Sequence, residues 1–296
     1  MHELKLGGQP LNLDFTLSCG QTFRWRKKPD GTWRGVVRDK LVALKLDGDR
    51  LLWRTYPEDD SILVRDYLRL SDDVISVYKH LSEADPHMAE LIGKFRGLRL
   101  LRQDPSETLL TFVCSSANSI PRITAAIEAL AEHYGNLVCE INPPQAGHYT
   151  FPAIEAVANA APKLFEDTRL LGYRDAKLRE VASQVMARGP DWLPSLRNVT
   201  YAQAHDGLLS IRGVGTKIAD CVCLFALDKD EAVPVDTHVW QLVKRLWMPD
   251  LNAKSLTSSV RAGIKAEFTR RYGTLAGWAQ QFLFYEDLLR TRGLGG

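Results

Sequence analysis

The stretch Leu208-Leu209-Ser210-Ile211-Arg212-Gly213-Val214-Gly215-Thr216-Lys217-Ile218-Ala219-Asp220 decides how the rest of the chain is read. Two glycines flank one apolar residue between segments of helical periodicity, so the spacing predicts two helices joined by a tight hairpin with positive φ. Leu209, Ile211 and Val214 anchor the turn, and its backbone N–H groups point outward as a nest suited to a phosphate. The helix starting at Thr216 adds its own unpaired donors and the positive end of its dipole. A bare Gly-x-Gly also fits an ordinary helix–helix turn. The apolar flanks favour a helix-hairpin-helix that grips a nucleic-acid backbone without reading its sequence.

Lys217 falls in the first turn of the second helix, where a cation is electrostatically unfavourable. It reads either as one more phosphate contact or as a nucleophilic amine. Uncharging an ordinary lysine at neutral pH costs about 4.6 kcal/mol, of which a dipole end supplies up to about 2. Desolvation, a closed substrate complex or a base must supply the remainder. Downstream, Val233-Pro234-Val235-Asp236-Thr237-His238-Val239-Trp240 puts Asp236 just ahead of an apolar-periodic stretch. That is an N-cap position, and a carboxylate fixed by backbone donors is also well placed to stabilise a developing cation. Asp236 is compatible with both roles.

Around this centre the pattern is helical. Helices are expected near Ile120–Tyr134, Arg174–Arg188, Tyr201–Leu209, Thr216–Leu227, Thr237–Leu246, Thr257–Tyr272 and Trp278–Arg290. Asp104-Pro105-Ser106-Glu107 begins another, with a cap, a proline at the first helical position and a glutamate three residues after the cap. Shorter helical segments lie near Ile62–Leu70, Val74–Leu81 and Met88–Phe95. Before them, from Leu11 to about Tyr56, the period is two. Leu11, Leu13, Phe15 and Leu17 make one expected strand and Val42, Leu44 and Leu46 another, with turns at Pro29-Asp30-Gly31 and Asp47-Gly48. The reading is α+β: an N-terminal antiparallel twisted β-sheet domain over 1–103, then an all-helical domain over 104–296 with the hairpin at about 201–227.

With 296 residues, 45% hydrophobic and 25% charged, the chain has material for one large or two ordinary domains. Lys+Arg is 38 against 36 Asp+Glu, a balance that allows a nucleic-acid partner without pointing to one. Five cysteines, none in a Cys-x-x-Cys pair, argue for reduced thiols and against a zinc ribbon or four-cysteine iron–sulfur cluster. No His-Glu-x-x-His pattern, membrane-length apolar run or signal-peptide pattern is present. The expectation is a soluble monomer of the cytoplasm or nucleoid, nuclear in a eukaryote, with no cofactor, no metal and no membrane association.

Gly213-Val214-Gly215-Thr216-Lys217 followed by Pro234-Val235-Asp236-Thr237-His238 resembles the catalytic pair of the helix-hairpin-helix DNA glycosylases, and within them the 8-oxoguanine DNA glycosylases that also act as lyases. Leu17-Ser18-Cys19-Gly20-Gln21-Thr22-Phe23-Arg24-Trp25 is similar to that family's N-terminal recognition strand. Arg102-Gln103-Asp104-Pro105 and Phe112-Val113-Cys114-Ser115-Ser116 are similar to its central helix entry. Leu171-Gly172-Tyr173-Arg174 and Gly277-Trp278-Ala279-Gln280 with Phe284 extend the likeness from about Leu11 to Arg290.

The resemblance implies an enzyme that flips 8-oxoguanine from double-stranded DNA, attacks C1′ with Lys217 and nicks the strand by β-elimination, Asp236 stabilising the oxocarbenium-like transition state. Gly20 would offer a carbonyl to the N7–H of the damaged base, Gln280 would bond its Watson–Crick edge, and Phe284 and Cys221 would take its two faces. Phe225 would form pocket wall where a methionine is common. An ionised Cys221 would hold Lys217 positively charged. Asn118, Arg122, Tyr173 and Arg174 would fill the vacated stack and meet the opposite base, while Gly213, Gly215 and His238 would contact phosphates. Where the family shows three asparagines this chain has Ala117-Asn118-Ser119, so its preference for cytosine opposite the lesion is expected to be weakened. Lys217 and Gly20-Gln21 favour this reading over an alkyl-base glycosylase that activates water with aspartate. A non-enzymatic DNA clamp would leave Asp236, Gln280 and Phe284 without roles.

Overall fold

The computed structural model describes residues 1–116, 118–139, 147–160, 171–172, 174–249 and 253–291. Its N-terminal part is a five-stranded antiparallel sheet ordered β1-β5-β4-β3-β2, made of β1 (His2–Lys5), β2 (Arg26–Lys27), β3 (Trp33–Val37), β4 (Lys40–Asp47) and β5 (Arg50–Tyr56). The two turn signals connect neighbouring strands, with Gly31 at φ +79 between β2 and β3 and Gly48 at φ +59 between β4 and β5. Val42 and Leu44 of β4 face a core shared with Trp33 and Trp53. On β3, a Cβ at Gly35 would come within 2.6 Å of the Trp25 ring, whose Nε1 donates to the Tyr67 hydroxyl at 2.8 Å.

The run from Leu11 to Leu17 is not a strand. Leu13–Ser18 is a helix, α1, capped by Asn12, whose Oδ1 accepts from the Phe15 N–H at 3.1 Å. Leu13 and Leu17 are four apart, so the alternation that suggests a strand also defines one face of a short helix. That face is buried in the sheet core with Leu63, Val64 and Tyr67 of α2 (Ser61–Tyr67).

A second and larger core takes in α3 (Val74–Ala84) and α4 (Pro86–Lys94) together with the helices that follow. These are α5 (Pro105–Cys114), α6 (Ile120–Tyr134), α7 (Ile154–Ala158), α8 (Arg174–Met186), α9 (Trp192–Ser195), α10 (Tyr201–Leu209), α11 (Thr216–Ala226), α12 (Thr237–Leu246), α13 (Ser258–Tyr272) and α14 (Ala276–Thr291). Asp104 caps α5 through Oδ1, which accepts from Ser106 and Glu107 N–H at 2.9 Å. From Ile218 to Ala226 every residue of α11 is buried, which fixes the helix that carries Lys217.

This part is mostly, not wholly, helical. Strands β6 (Leu137–Cys139) and β7 (His148–Tyr149) pair antiparallel after α6. Strands of three and two residues are too short for alternation to register in a sequence. The chain is instead closed by proximity: the Thr150 N–H donates to the Asn136 carbonyl at 2.9 Å, and a Cβ on Gly135 would lie 2.0 Å from the Thr150 carbonyl oxygen. No helix among the described residues is long and apolar enough to cross a membrane.

Candidate active site

Helices α10 and α11 form the hairpin. Thr200 and Gln203 make a reciprocal capping box at the start of α10, Ile211 and Val214 are buried, and the Val214 N–H donates to the Ile211 carbonyl at 3.0 Å. Gly213 has φ +97, and a Cβ there would press on Val181 and Lys177 of α8 at 3.3 and 3.4 Å. Gly215 departs from the expectation. It is the N-cap of α11 at φ −94 and ψ 170, an extended conformation open to any residue. Behind the hairpin the buried Asp220 accepts from Tyr201 Oη at 2.6 Å and Lys265 Nζ at 2.8 Å, with His205 Nε2 at 3.4 Å. Burial pushes the Asp220 carboxyl up against the pull of Lys265 and Tyr201, and the cluster ties both hairpin helices to α13.

Lys217, the second residue of α11, reaches across to α5. Its Nζ donates to Ser115 Oγ at 3.1 Å and lies 4.8 Å from the centroid of the Phe112 ring. Among the described residues it has no carboxylate partner. Asp236 caps α12 as expected, Oδ1 accepting from the Val239 N–H at 2.9 Å. The turn before it is pinned by Arg261 of α13, which donates to the Val235 carbonyl.

Lys217 and Asp236 open onto one cavity of about 330 Å³. Gly20, Cys221, Phe225, Gln280, Phe284, Asn118 and His238 line it too, so four separated stretches of sequence meet there. Gly20 has φ +84, and a Cβ on it would stand 3.0 Å from Phe284 Cε1. Phe225 stacks on Phe112 with centroids 5.6 Å apart. Gln280 is buried, and its Oε1 has no hydrogen-bond donor. Such an orphaned acceptor is uncommon in a folded interior, and this one belongs to a residue of the cavity wall. Cys221 differs from the ionised form considered above: burial pushes its thiol up to about 12, outweighing the charge of Lys217, so it stays a neutral thiol.

Arg122 is exposed in the first turn of α6 and has no partner among the described residues. Arg174 is buried and donates from Nε to the Ser116 carbonyl at 2.7 Å, bracing the turn between α5 and α6. Asn118 Nδ2 donates to the Cys114 carbonyl at 3.1 Å in the same turn. Ala117 and Tyr173 lie outside the described residues.

Four contributors were missed from the sequence. Ser115 receives Lys217, and Arg261 holds the turn before Asp236. Gln281 donates from Nε2 to the Cys19 carbonyl at 2.9 Å and so fixes the turn at Gly20. Asp287 stands 3.5 Å from His238 Nδ1; although burial works against it, Arg290 and Arg245 hold its carboxyl below the usual range. Each is defined by a contact far along the chain, which no local pattern signals. No group of three His, Cys, Asp or Glu side chains among the described residues is arranged to hold a metal.

A sheet-plus-helix fold, a helix-hairpin-helix and one cavity shared by a first-turn lysine and a capping aspartate are the architecture of the helix-hairpin-helix DNA glycosylases. Residues 3–109 match the 8-oxoguanine DNA glycosylase N-terminal domain. An N-glycosylase/DNA lyase of Arabidopsis thaliana is 34% identical, the alignment covering 96% of this chain and 80% of that one. An N-glycosylase/DNA lyase of Saccharomyces cerevisiae is 32% identical, over 98% and 87% of the two chains. Among solved structures, the 8-oxoguanine glycosylase/lyase of Clostridium acetobutylicum, in complex with double-stranded DNA containing cytosine opposite 8-oxoguanine, matches with a TM-score of 0.82 at 27% identity, covering 98% of this chain and 94% of that one. The chain belongs to the 8-oxoguanine DNA glycosylase/lyase family.

Proposed function

We propose that this chain is a bifunctional glycosylase and abasic-site lyase of base excision repair, which removes 8-oxoguanine from duplex DNA through a lysine Schiff base and nicks 3′ to the abasic site. The observation that carries this reading is the meeting of Lys217, Asp236, Gly20, Cys221, Gln280 and Phe284 at one cavity, in a chain of this family.

The damaged nucleotide has to leave the stack because its reacting carbon is inaccessible within the duplex. In the cavity Phe284 stacks on one face of the base and the Cys221 thiol closes the other. The free Oε1 of Gln280 accepts from its Watson–Crick edge. The Gly20 carbonyl accepts from the N7–H that guanine lacks, a distinction of about 1–3 kcal/mol, so this contact alone does not supply all the selectivity. Lys217 loses one proton, which ends on the departing base, and bonds to C1′ as the C1′–N9 bond breaks; a second proton passes to O4′ as the C1′–O4′ bond opens to the Schiff base. Asp236, held rigid by its cap, offsets the positive charge developing on the sugar. The Schiff base makes the neighbouring C2′ proton labile, and its loss expels the 3′ phosphate.

Asn118, Arg122, Tyr173 and Arg174 serve the vacated stack and the opposite base, and the Gly213–Gly215 hairpin and His238 hold phosphates. With alanine at 117, preference for cytosine is relaxed. Residues 1–103 supply the recognition turn and 104–296 the hairpin and cleft. The enzyme works on DNA as a monomer, in the cytoplasm or nucleoid or in a eukaryotic nucleus.

Sodium borohydride tests the mechanism. The protein mixed with an 8-oxoguanine duplex should be trapped covalently, and Lys217→Ala should give no adduct. Base release at full speed by Lys217→Ala overturns the mechanism and favours an aspartate-activated water. Binding with no release by the wild type favours a non-enzymatic clamp.

A further inference from the structure

A second cavity of about 330 Å³ lies apart from the catalytic one and shares none of its lining residues. Its walls come from β2 and β3, from α6 and from β7, and four cations line it: Arg24, Arg26, Lys28 and Arg34. The carboxylates at the wall are Glu128 and Glu132. Arg26 Nη2 already pairs with Glu128 at 3.2 Å, and Glu132 is exposed. Lys28 and Arg34, both half-buried, have no ion-pair partner among the described residues.

Arg24 is the decisive residue. Its side chain is 4% exposed. It donates from Nη2 to the Tyr149 carbonyl, yet Nε and Nη1 meet no acceptor. Glu107 Oε1 stands 3.8 Å from Nη1, too far for a hydrogen bond. A buried guanidinium whose Nε and Nη1 lack a hydrogen-bond acceptor, in the wall of a cavity lined by three further cations, suits a ligand that carries negative charge. His148, in the same wall, is held below its ordinary value by burial and by the charges of Lys28, Arg34 and Arg24, in keeping with a positive interior.

We propose that this cavity is an anion site that takes a phosphate group, with Arg24 at its buried end and Lys28 and Arg34 toward its opening. Arg24 supplies a buried positive charge beside the oxyanion, and the two outer cations neutralise the charge that remains. The phosphate belongs either to a small free species or to a DNA backbone.

Titration calorimetry of the full chain with inorganic phosphate, in chloride buffer of matched ionic strength, tests the site. Wild type should bind saturably. The Lys28→Ala/Arg34→Ala double variant, chosen because Arg24 is too buried to replace safely, should lose about tenfold or more in phosphate affinity, the scale of charge-assisted contacts. Neither residue lines the catalytic cavity, and a melting temperature matching wild type reports an intact fold in the double variant. Arg34→Lys, which keeps the charge, should bind phosphate within about threefold of wild type. Titrating duplex DNA separates the sources: a parallel loss of DNA affinity in the double variant assigns the phosphate to DNA, and unchanged DNA affinity assigns it to a free species, both supporting the site. Absence of saturable phosphate binding by wild type, or affinity undiminished in the double variant, overturns the proposal.

Discussion

Replacing Gly20 by alanine asks whether the turn after α1 serves the base or only the chain reversal. Gly20 has φ +84, a region where an L side chain costs about 1–2 kcal/mol. The new Cβ would stand 3.0 Å from Phe284 Cε1, tighter than ordinary contact. The ring can yield only toward the cavity it lines, the space the base would occupy, because His238 meets it edge-on with centroids 6.4 Å apart. Nor can the turn swing away freely. Gln281 holds the Cys19 carbonyl at 2.9 Å, a buried bond worth about 0.5–1.5 kcal/mol. The strain should lower the melting temperature by about 2–8 °C. The displaced ring should slow excision by about 10²-fold, the scale of a 1 Å misplacement near a reacting centre. Single-turnover excision from an 8-oxoguanine:cytosine duplex, measured beside a thermal melt and a DNA-binding titration, provides the assay. A lowered melting temperature with wild-type excision would refute the reasoning, because the glycine would then be required by the backbone and not by the base.

Asp236→Asn keeps an acceptor for the Val239 N–H, so it should melt near wild type, whereas Asp236→Ala should lose about 1 kcal/mol of capping. Both should slow excision by about 10²–10³ with DNA affinity little changed, and equal losses of rate and affinity would make Asp236 a cap alone. Burial holds the Glu107 carboxyl up at about 7, against the pull of Arg24. A raised acid contributes stability below its unfolded value that is lost as pH climbs through the folded one. Wild type should therefore melt lower as pH rises from about 5 to about 7.5, and Glu107→Gln should reduce that slope, the buried Asp220 contributing in the same direction; a melting difference independent of pH contradicts the assignment. Ala117→Asn should sharpen the preference for cytosine opposite the lesion, read by excision opposite C, T, A and G. A wild-type preference already as strong as the variant's counts against relaxed pairing.

The positions of most helices were legible because periodicity and capping are local. Tyr201–Leu209 and Thr237–Leu246 run as the pattern predicts, each opened by its own cap, Thr200 and Asp236. Leu11–Leu17 was misread because a Leu-x-x-x-Leu spacing satisfies both periods, and the deciding events were the Asn12 cap and burial beside α2. Likewise Lys217 and Asp236 stood out by motif and spacing, and the structure places both at one cavity.

What surrounds that pair was not legible. The sequence alone singled out the residues proposed to carry the chemistry, since a hairpin, a first-turn lysine and a capping aspartate are each specified within a few neighbours. Only the tertiary structure decided what Lys217 rests against, which residue anchors the Gly20 turn, and that Cys221 is a neutral thiol. Ser115 lies 102 residues from Lys217, and Gln281 lies 262 from Cys19. Contacts across such separations, and the desolvation that sets a buried group's charge, exist only once distant segments have packed together.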